Sequence, residues 1–291
     1  KIKPDYPELF NELGIFYDAT GQFDLALLSY DKALELKPDY TLAIYNMSLT
    51  QLKVGQIKEG ALNNEYRWEQ DSFPSPRRTF KTPRWNGEDL TGKKILIWSE
   101  QGIGDEIQYA SIIPEFEHLA QKVVIECAKK LVLIFQWTFP WAEVKETGPV
   151  NCEHYDFYNT FDYQIPAGSL MRFFRSSIED FKQKQKPFIP RLKEGEKKVR
   201  DNLKLADNQL LIGLCWRSSL QNVERSIHFL EVEELAPLKA IKNATFIALQ
   251  YDDCLPELDR VRELGLPIRY YTNIDQKEEI GSSCALIGAC D

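Results

Sequence analysis

Apolar and small residues recur at helical spacing through the first part of the chain. Phe10, Leu13, Gly14 and Tyr17 share one face of a first helix, and Ala26, Tyr30 and Ala33 share one face of a second. Gly21 marks the turn between them, and Pro38 ends the second helix because its ring cannot continue one. Lys3-Pro4-Asp5-Tyr6 returns as Lys37-Pro38-Asp39-Tyr40, a shift of 34 residues, and a looser copy with Ile44, Met47, Gly55 and Ala61 comes after it. From residue 92 the pattern changes to short apolar runs separated by helical stretches. Strands are predicted at Lys94–Trp98, Lys122–Cys127, Ala142–Glu146 and Phe161–Pro166. Helices are predicted at Asp105–Ala120, Lys129–Trp137 and near Leu170–Phe174. A second alternating unit has strands at 210–216, Thr245–Gln250 and Ile268–Tyr271, with helices at Val232–Ile241 and Leu255–Leu264.

The 34-residue period is that of a tetratricopeptide (TPR) repeat, whose small residues allow close helix packing while its aromatics fill the gaps between neighbours. Residues 1–72 are therefore expected to be TPR repeats. Because stacking supplies the core of such arrays, further repeats are expected before Lys1, or packing against the next domain. Residues 73–91 form a proline-rich linker, in which Pro74, Pro76 and Pro83 end the helical array. Trp85 is expected to pin this linker to the next domain. Its arginines, Arg77, Arg78 and Arg84, read as solvated charges, the usual state of arginine. Strand–helix alternation argues a parallel sheet with helices on both faces for residues 92–187. Residues 188–208 read as a linker with a surface helix, and 209–291 as a second Rossmann-like domain, cut short where the CALIGAC helix is finishing. The fold class expected is α plus α/β.

The chemistry concentrates at Ile95–Pro114. An apolar strand runs into a glycine-containing turn, Ser99–Asp105, that opens a helix, and this succession is how α/β folds build sites for anions or polar substrates. Gly102 and Gly104 lack a Cβ and would let the backbone approach a ligand. Asp105 sits at the mouth of the loop and reads either as a helix cap or as a chemical group. A dinucleotide fingerprint would need a third glycine at position 107, where Ile107 stands, and no P-loop pattern occurs.

Composition narrows the options. The 291 residues are 43% hydrophobic and 12% aromatic, enough for real cores and for two or three domains. A net charge of −8 makes nucleic acid a poor partner. The one basic run, Lys182–Lys186, is broken by glutamines and reads as solvated linker. The six cysteines form no C-x-x-C pair, and three sit in apolar runs, which fits a reducing, cytoplasmic compartment. Cys152 and His154 alone make no zinc site, so no metal is expected. No run of 18 apolar residues occurs, so no membrane span is expected.

Taken together, these motifs resemble bacterial TPR proteins fused to a glycosyltransferase domain, similar to heptosyltransferases and more distantly to O-linked N-acetylglucosamine transferases. The residues that carry the resemblance are the repeat signature, Glu65-Tyr66-Arg67-Trp68, and Pro83-x-Trp85-x-Gly87. With them go Glu100-Gln101-Gly102-x-Gly104-Asp105-x-x-Gln108-Tyr109 with Pro114, Ile212-Gly213-Leu214-x-Trp216, Arg225-Ser226 and Leu249-Gln250. The resemblance implies a metal-independent, inverting GT-B enzyme of two Rossmann-like domains, acceptor on the first and nucleotide-sugar donor mostly on the second. The nucleotide sugar would be a co-substrate, with no other cofactor. It implies Asp105 as general base, with Glu100, Gln101, Gly102, Gly104 and Gln108 shaping the acceptor loop. Arg225 would hold the donor diphosphate, with Ser226, Trp216 and Ser218 lining the same pocket.

The chain departs from the family where Trp216-Arg217-Ser218-Ser219 replaces a loop that usually carries Asn. A donor-side Asp-Thr-x-x-x-His-x-x-Gly segment would be expected beyond Asp291. No D-x-D triplet occurs, in keeping with a GT-B rather than a metal-dependent GT-A enzyme. The rival expectation is a non-catalytic scaffold in which the TPR groove grips a peptide or protein partner. A nucleotide-dependent oxidoreductase is a third, against which the broken glycine fingerprint counts.

Overall fold

In a computed structural model of the chain, residues 6–184, 187–206, 208–219, 226 and 228–291 are described. The first copy of the repeated tetrapeptide (Lys3–Asp5), the end of the Lys182–Lys186 run and Arg225 lie outside them. The chain divides into two compact units, Lys1–Phe188 and Ile189–Asp291.

The first unit opens with two helix pairs. Helices α1 (Pro7–Ala19) and α2 (Phe23–Leu36) form one, and α3 (Thr41–Lys53) and α4 (Ile57–Asn63) the other. Both turns use glycine in the left-handed region, Gly21 at φ 74° and Gly55 at φ 84°, 34 residues apart. Inside the first pair, Gly14 lies against the ring of the buried Tyr30, and Ala26 and Ala33 are fully buried on the same face of α2. A 3-10 turn, Asn64–Glu69, ends the second pair.

Next along the chain is a parallel sheet, built from β1 (Lys94–Trp98), β2 (Lys122–Cys127), β3 (Glu143–Glu146) and β4 (Tyr163–Pro166), in the order β3-β2-β1-β4. Connecting segments include α5 (Ile103–Ala110), α6 (Val132–Thr138), α7 (Met171–Phe174) and α8 (Ile178–Lys184). The predicted helix 105–120 is shorter, because it breaks after Ala110 and resumes only as a 3-10 turn at Ile113–Phe116, where Pro114 cannot donate to a continuing helix.

Alternate residues of β1 and β2 face opposite ways. Leu96, Trp98 and Val124 cluster with Cys152, Tyr158 and Phe161, and Trp68, Phe80 and Phe157 pack on them. That face is covered by the linker and by coil, not by helices as the alternation suggested. Linker and strand are stitched by backbone bonds: Trp85 N–H donates to Gln164 (2.9 Å) and Gln164 N–H donates to Pro83 (3.0 Å). Trp85 is buried against Phe116, Phe173 and Phe174, and so pins the linker as its position suggested.

Arg78 is the exception to solvated linker arginines. It is buried and pairs with the buried Glu126 on β2 at 2.5 Å, and Tyr158 donates to the other Glu126 oxygen at 2.7 Å. Its guanidinium also donates to the Pro149 carbonyl (3.0 Å) and lies over the rings of Phe80, Trp98 and Tyr158. A charge so placed is desolvated, and only this full set of partners offsets that cost.

The second unit carries helix α9 (Lys193–Asn202) and a parallel sheet β5 (Leu210–Leu214), β6 (Ala244–Ala248), β7 (Ile268–Tyr270), in that order. Helices α10 (Leu255–Glu263) and α11 (Ile280–Gly288) complete it, with a 3-10 run at Val232–Ala240 that contains Pro237 where a helix was expected. Phe246 and Ala248 face a core with Trp216, Leu258 and Val261, while Ile247 faces one with Val199, Leu203 and Leu286. Both faces of this sheet are therefore covered, which is why its strands read as continuous apolar runs. Among the described residues, no helix is long and apolar enough to cross a membrane.

Candidate functional site

The chain leaves β1 to build β2 and β3 on one side, then returns to β4 on the other. Between β1 and β4 the order of connection reverses, and the crevice beyond the carboxyl ends of such strands is where open α/β sheets take ligands. Trp98 and Pro166 are the register-paired last residues of the two strands. The loop Ser99–Gly102 issues from one and the turn Ala167–Ser169 from the other.

Glu100 ties these two segments together. Its carboxylate receives a bidentate pair from Arg67, Nε at 2.8 Å and Nη2 at 2.7 Å, and the Gly168 N–H at 2.7 Å. Both side chains are essentially inaccessible. Arg67 further donates to Ser169 Oγ (2.9 Å), the Asn64 carbonyl (3.0 Å) and Glu65 (3.1 Å). A guanidinium can satisfy several acceptors at fixed angles, so one arginine closes a site that a lysine could not. Glu100 thus orients the loop from inside.

Gln101 holds a left-handed backbone, φ 64°, with its N–H donating to Ser75 Oγ and its side-chain amide to the Tyr109 hydroxyl at 2.8 Å. That conformation is uncommon for a residue with a Cβ, and the two side-chain bonds hold it. Gly102 is the N-cap of α5, and a Cβ on Gly104 would meet open space. Asp105 Oδ2 accepts the Gly102 N–H at 3.1 Å, half of a capping box. Its other oxygen has no partner among the described residues, and the side chain is half-buried. Capping and chemical availability therefore coexist in one carboxylate. Gln108 is exposed on the same helix.

Glu106 was not singled out by the sequence motifs. It is buried, its Oε2 accepts the Ala128 N–H at 2.8 Å just beyond β2, and burial pushes its carboxyl up to about 7 despite that bond, with the Asp105 charge adding to the rise. The signal was present in the spacing, since Glu106 lies four residues before the fully buried Ala110 and shares its face.

In the second unit, the loop after β5 is organised by Gln250, which is fully buried. Its Oε1 accepts the N–H of Trp216 (3.1 Å) and Arg217 (3.3 Å), and its amide donates to Asp252 (3.1 Å). Trp216, which the resemblance puts among the residues lining the donor pocket, is almost fully buried. It is buried in the core, and its indole N–H is used by Glu257 at 3.2 Å. Arg217, the departure from the family loop, pairs bidentately with Glu257 (2.7 and 2.6 Å) and also bonds Asp252. Both oxygens of Glu257 are thereby charge-assisted acceptors, and its carboxyl is held below the usual range, chiefly by Arg217. Ser218 is half-buried and Ser226 exposed.

Paired helices lead into parallel sheets, with a polar loop at a strand switch point, so the chain is a mixed helix and parallel-sheet (α/β) protein. No protein-family model matches the chain. It is similar to Protein FlbA of Caulobacter vibrioides, 26% identical over 337 aligned positions that take in 99% of this chain and 56% of that protein, so the chain spans little more than half of its relative's length. Among solved structures it is similar to a mutant of the Thermobaculum terrenum O-GlcNAc transferase, at 12% identity and a TM-score of 0.29, over 94% of this chain and 63% of that one.

Proposed function

We propose that the chain belongs to a glycosyltransferase that moves a sugar from a nucleotide-sugar donor to a hydroxyl acceptor, inverting and metal-independent, with a GT-B arrangement. The observation that carries the reading is Asp105, a half-buried carboxylate in the first turn of α5, beside the β1/β4 switch point, with one oxygen that has no partner among the described residues. A base there would take the acceptor's hydroxyl proton as the oxygen attacks the sugar's anomeric carbon, while the nucleotide diphosphate leaves. Glu100, Arg67 and Gly168 would fix the loop so that the carboxylate is held in place before substrate arrives. In this reading Arg225 holds the departing diphosphate, since a guanidinium pairs phosphate with two parallel hydrogen bonds, and the helix pairs are TPR repeats.

The test is a panel of nucleotide sugars scored for nucleotide release, with Asp105→Asn beside the native chain. Release with one donor that falls by about 10²-fold or more in the variant supports the reading. Equal release by both sinks Asp105 as base. A second reading, a scaffold without catalysis, is favoured by Asp105's capping bond, which gives the residue a structural reason to be there. It expects no turnover and no thermal shift with any nucleotide.

A further inference from the structure

Two adjoining hollows lie in the first unit, where the 3-10 turn Asn64–Glu69 meets the linker. The larger, about 550 Å³, is walled by Tyr66, Trp68, Arg77, Arg84 and Arg172, together with Glu65 and Glu69. The smaller, about 170 Å³, shares Trp68, Arg77 and Arg84 and reaches Trp98 and Pro166. Those last two end β1 and β4, so the hollow reaches the strand switch point itself.

The charges in this space are unevenly spent. Arg84 pairs with Glu65 and donates to Ser169 Oγ at 2.6 Å. Arg172 lies 3.9 Å from the same Glu65 and donates to Asn86 at 3.2 Å. Burial alone would raise the Glu65 carboxyl, but Arg67 and Arg84 hold it below its usual range, so it stays charged. Arg77 is different: it is exposed, lines both hollows and has no acidic partner among the described residues. Trp68 walls both hollows.

We infer that this cavity binds a ligand bearing a single carboxylate, which pairs with Arg77. Charge selects the class. Three arginines against Glu65 and Glu69 leave one net positive, which a monoanion neutralises. The faces of Tyr66 and Trp68 would take the apolar body of the ligand, and the volume suits a monosaccharide or a side chain with its neighbours. The site goes beyond sugar transfer and holds whether or not the chain is an enzyme. The same carboxylate chemistry comes from two sources, a sugar acid or a glutamyl side chain.

The experiment is titration calorimetry on the whole chain with glucuronate, with an acetylated and amidated Gly-Glu-Gly peptide, and with inorganic phosphate. Glucose and the Gln counterpart of the peptide serve as neutral partners. Saturable binding of glucuronate or the glutamyl peptide, absent for its neutral partner, is expected, and whichever binds names the source. In Arg77→Gln the affinity falls about tenfold or more, the worth of one charge-assisted bond, with the melting temperature unchanged because Arg77 has no acidic partner to lose. Arg77→Lys, which keeps the charge but not the fork, lies between. Three results would each overturn the inference: no carboxylate binding at millimolar concentration, equal binding by neutral probes or by Arg77→Gln, or phosphate binding more tightly than either carboxylate.

Discussion

Truncating Arg67 to alanine leaves the Glu100 side chain, among the described residues, with a single N–H donor. In the native chain the Glu100 carboxylate is inaccessible and takes two guanidinium bonds at 2.8 and 2.7 Å besides the Gly168 bond. Without Arg67 that charge stays buried with a single donor, and Ser169 and the Asn64 carbonyl also lose their bonds. Breaking a buried pair from one side costs about 3–5 kcal/mol. For a unit of this size each kcal/mol lowers the melting temperature by about 2–4 °C, so a fall of about 6–20 °C is expected for Arg67→Ala. The assay is guanidinium unfolding followed by tryptophan fluorescence, to which Trp68 reports directly because its ring lies 5.0 Å from the Arg67 guanidinium. Glu100→Gln and the double variant complete a cycle. A loss below about 1 kcal/mol for Arg67→Ala, or a coupling within about 0.5 kcal/mol of zero, would refute the claim that this pair is a closed internal clamp.

Glu106→Gln tests the buried carboxyl beside the loop. Its folded value of about 7 lies above its ordinary 4.5, so stability is full below pH 4.5 and declines as pH rises through 7, by up to roughly 3 kcal/mol. The glutamine variant should flatten that decline in pH-dependent unfolding, and an unchanged slope would assign it elsewhere. Gly14→Ala drives a methyl into the Tyr30 ring, and a loss of about 1–3 kcal/mol in thermal melts is expected, whereas a neutral result would mean that α1 and α2 pack more loosely. Asp105→Asn should change stability by no more than about 1 kcal/mol, since one capping bond is at stake, so a large rate loss in that variant reports chemistry and not unfolding.

Periodicity by itself determined where most elements lie. The strands at Lys94–Trp98 and Lys122–Cys127 coincide with their apolar runs, and the helix pairs keep to the 34-residue spacing down to the glycines at 21 and 55. This works because burial of one face imposes a period that local residues must carry. The polar turn after Trp98 was equally legible, since glycines and a capping acid are local requirements. Which face each partner covers was not. Nothing local in Arg78 marks it as buried, because its reason is Glu126, a residue 48 positions away on β2. Arg67 and Glu100 are 33 apart, and nothing in the sequence pairs them until the sheet brings them together. The resemblance made Trp216 a site residue, yet the packing of α10 turns it into the core. Pairing of buried charges depends on what the whole fold places within hydrogen-bond distance, and that distance exists only in the tertiary structure.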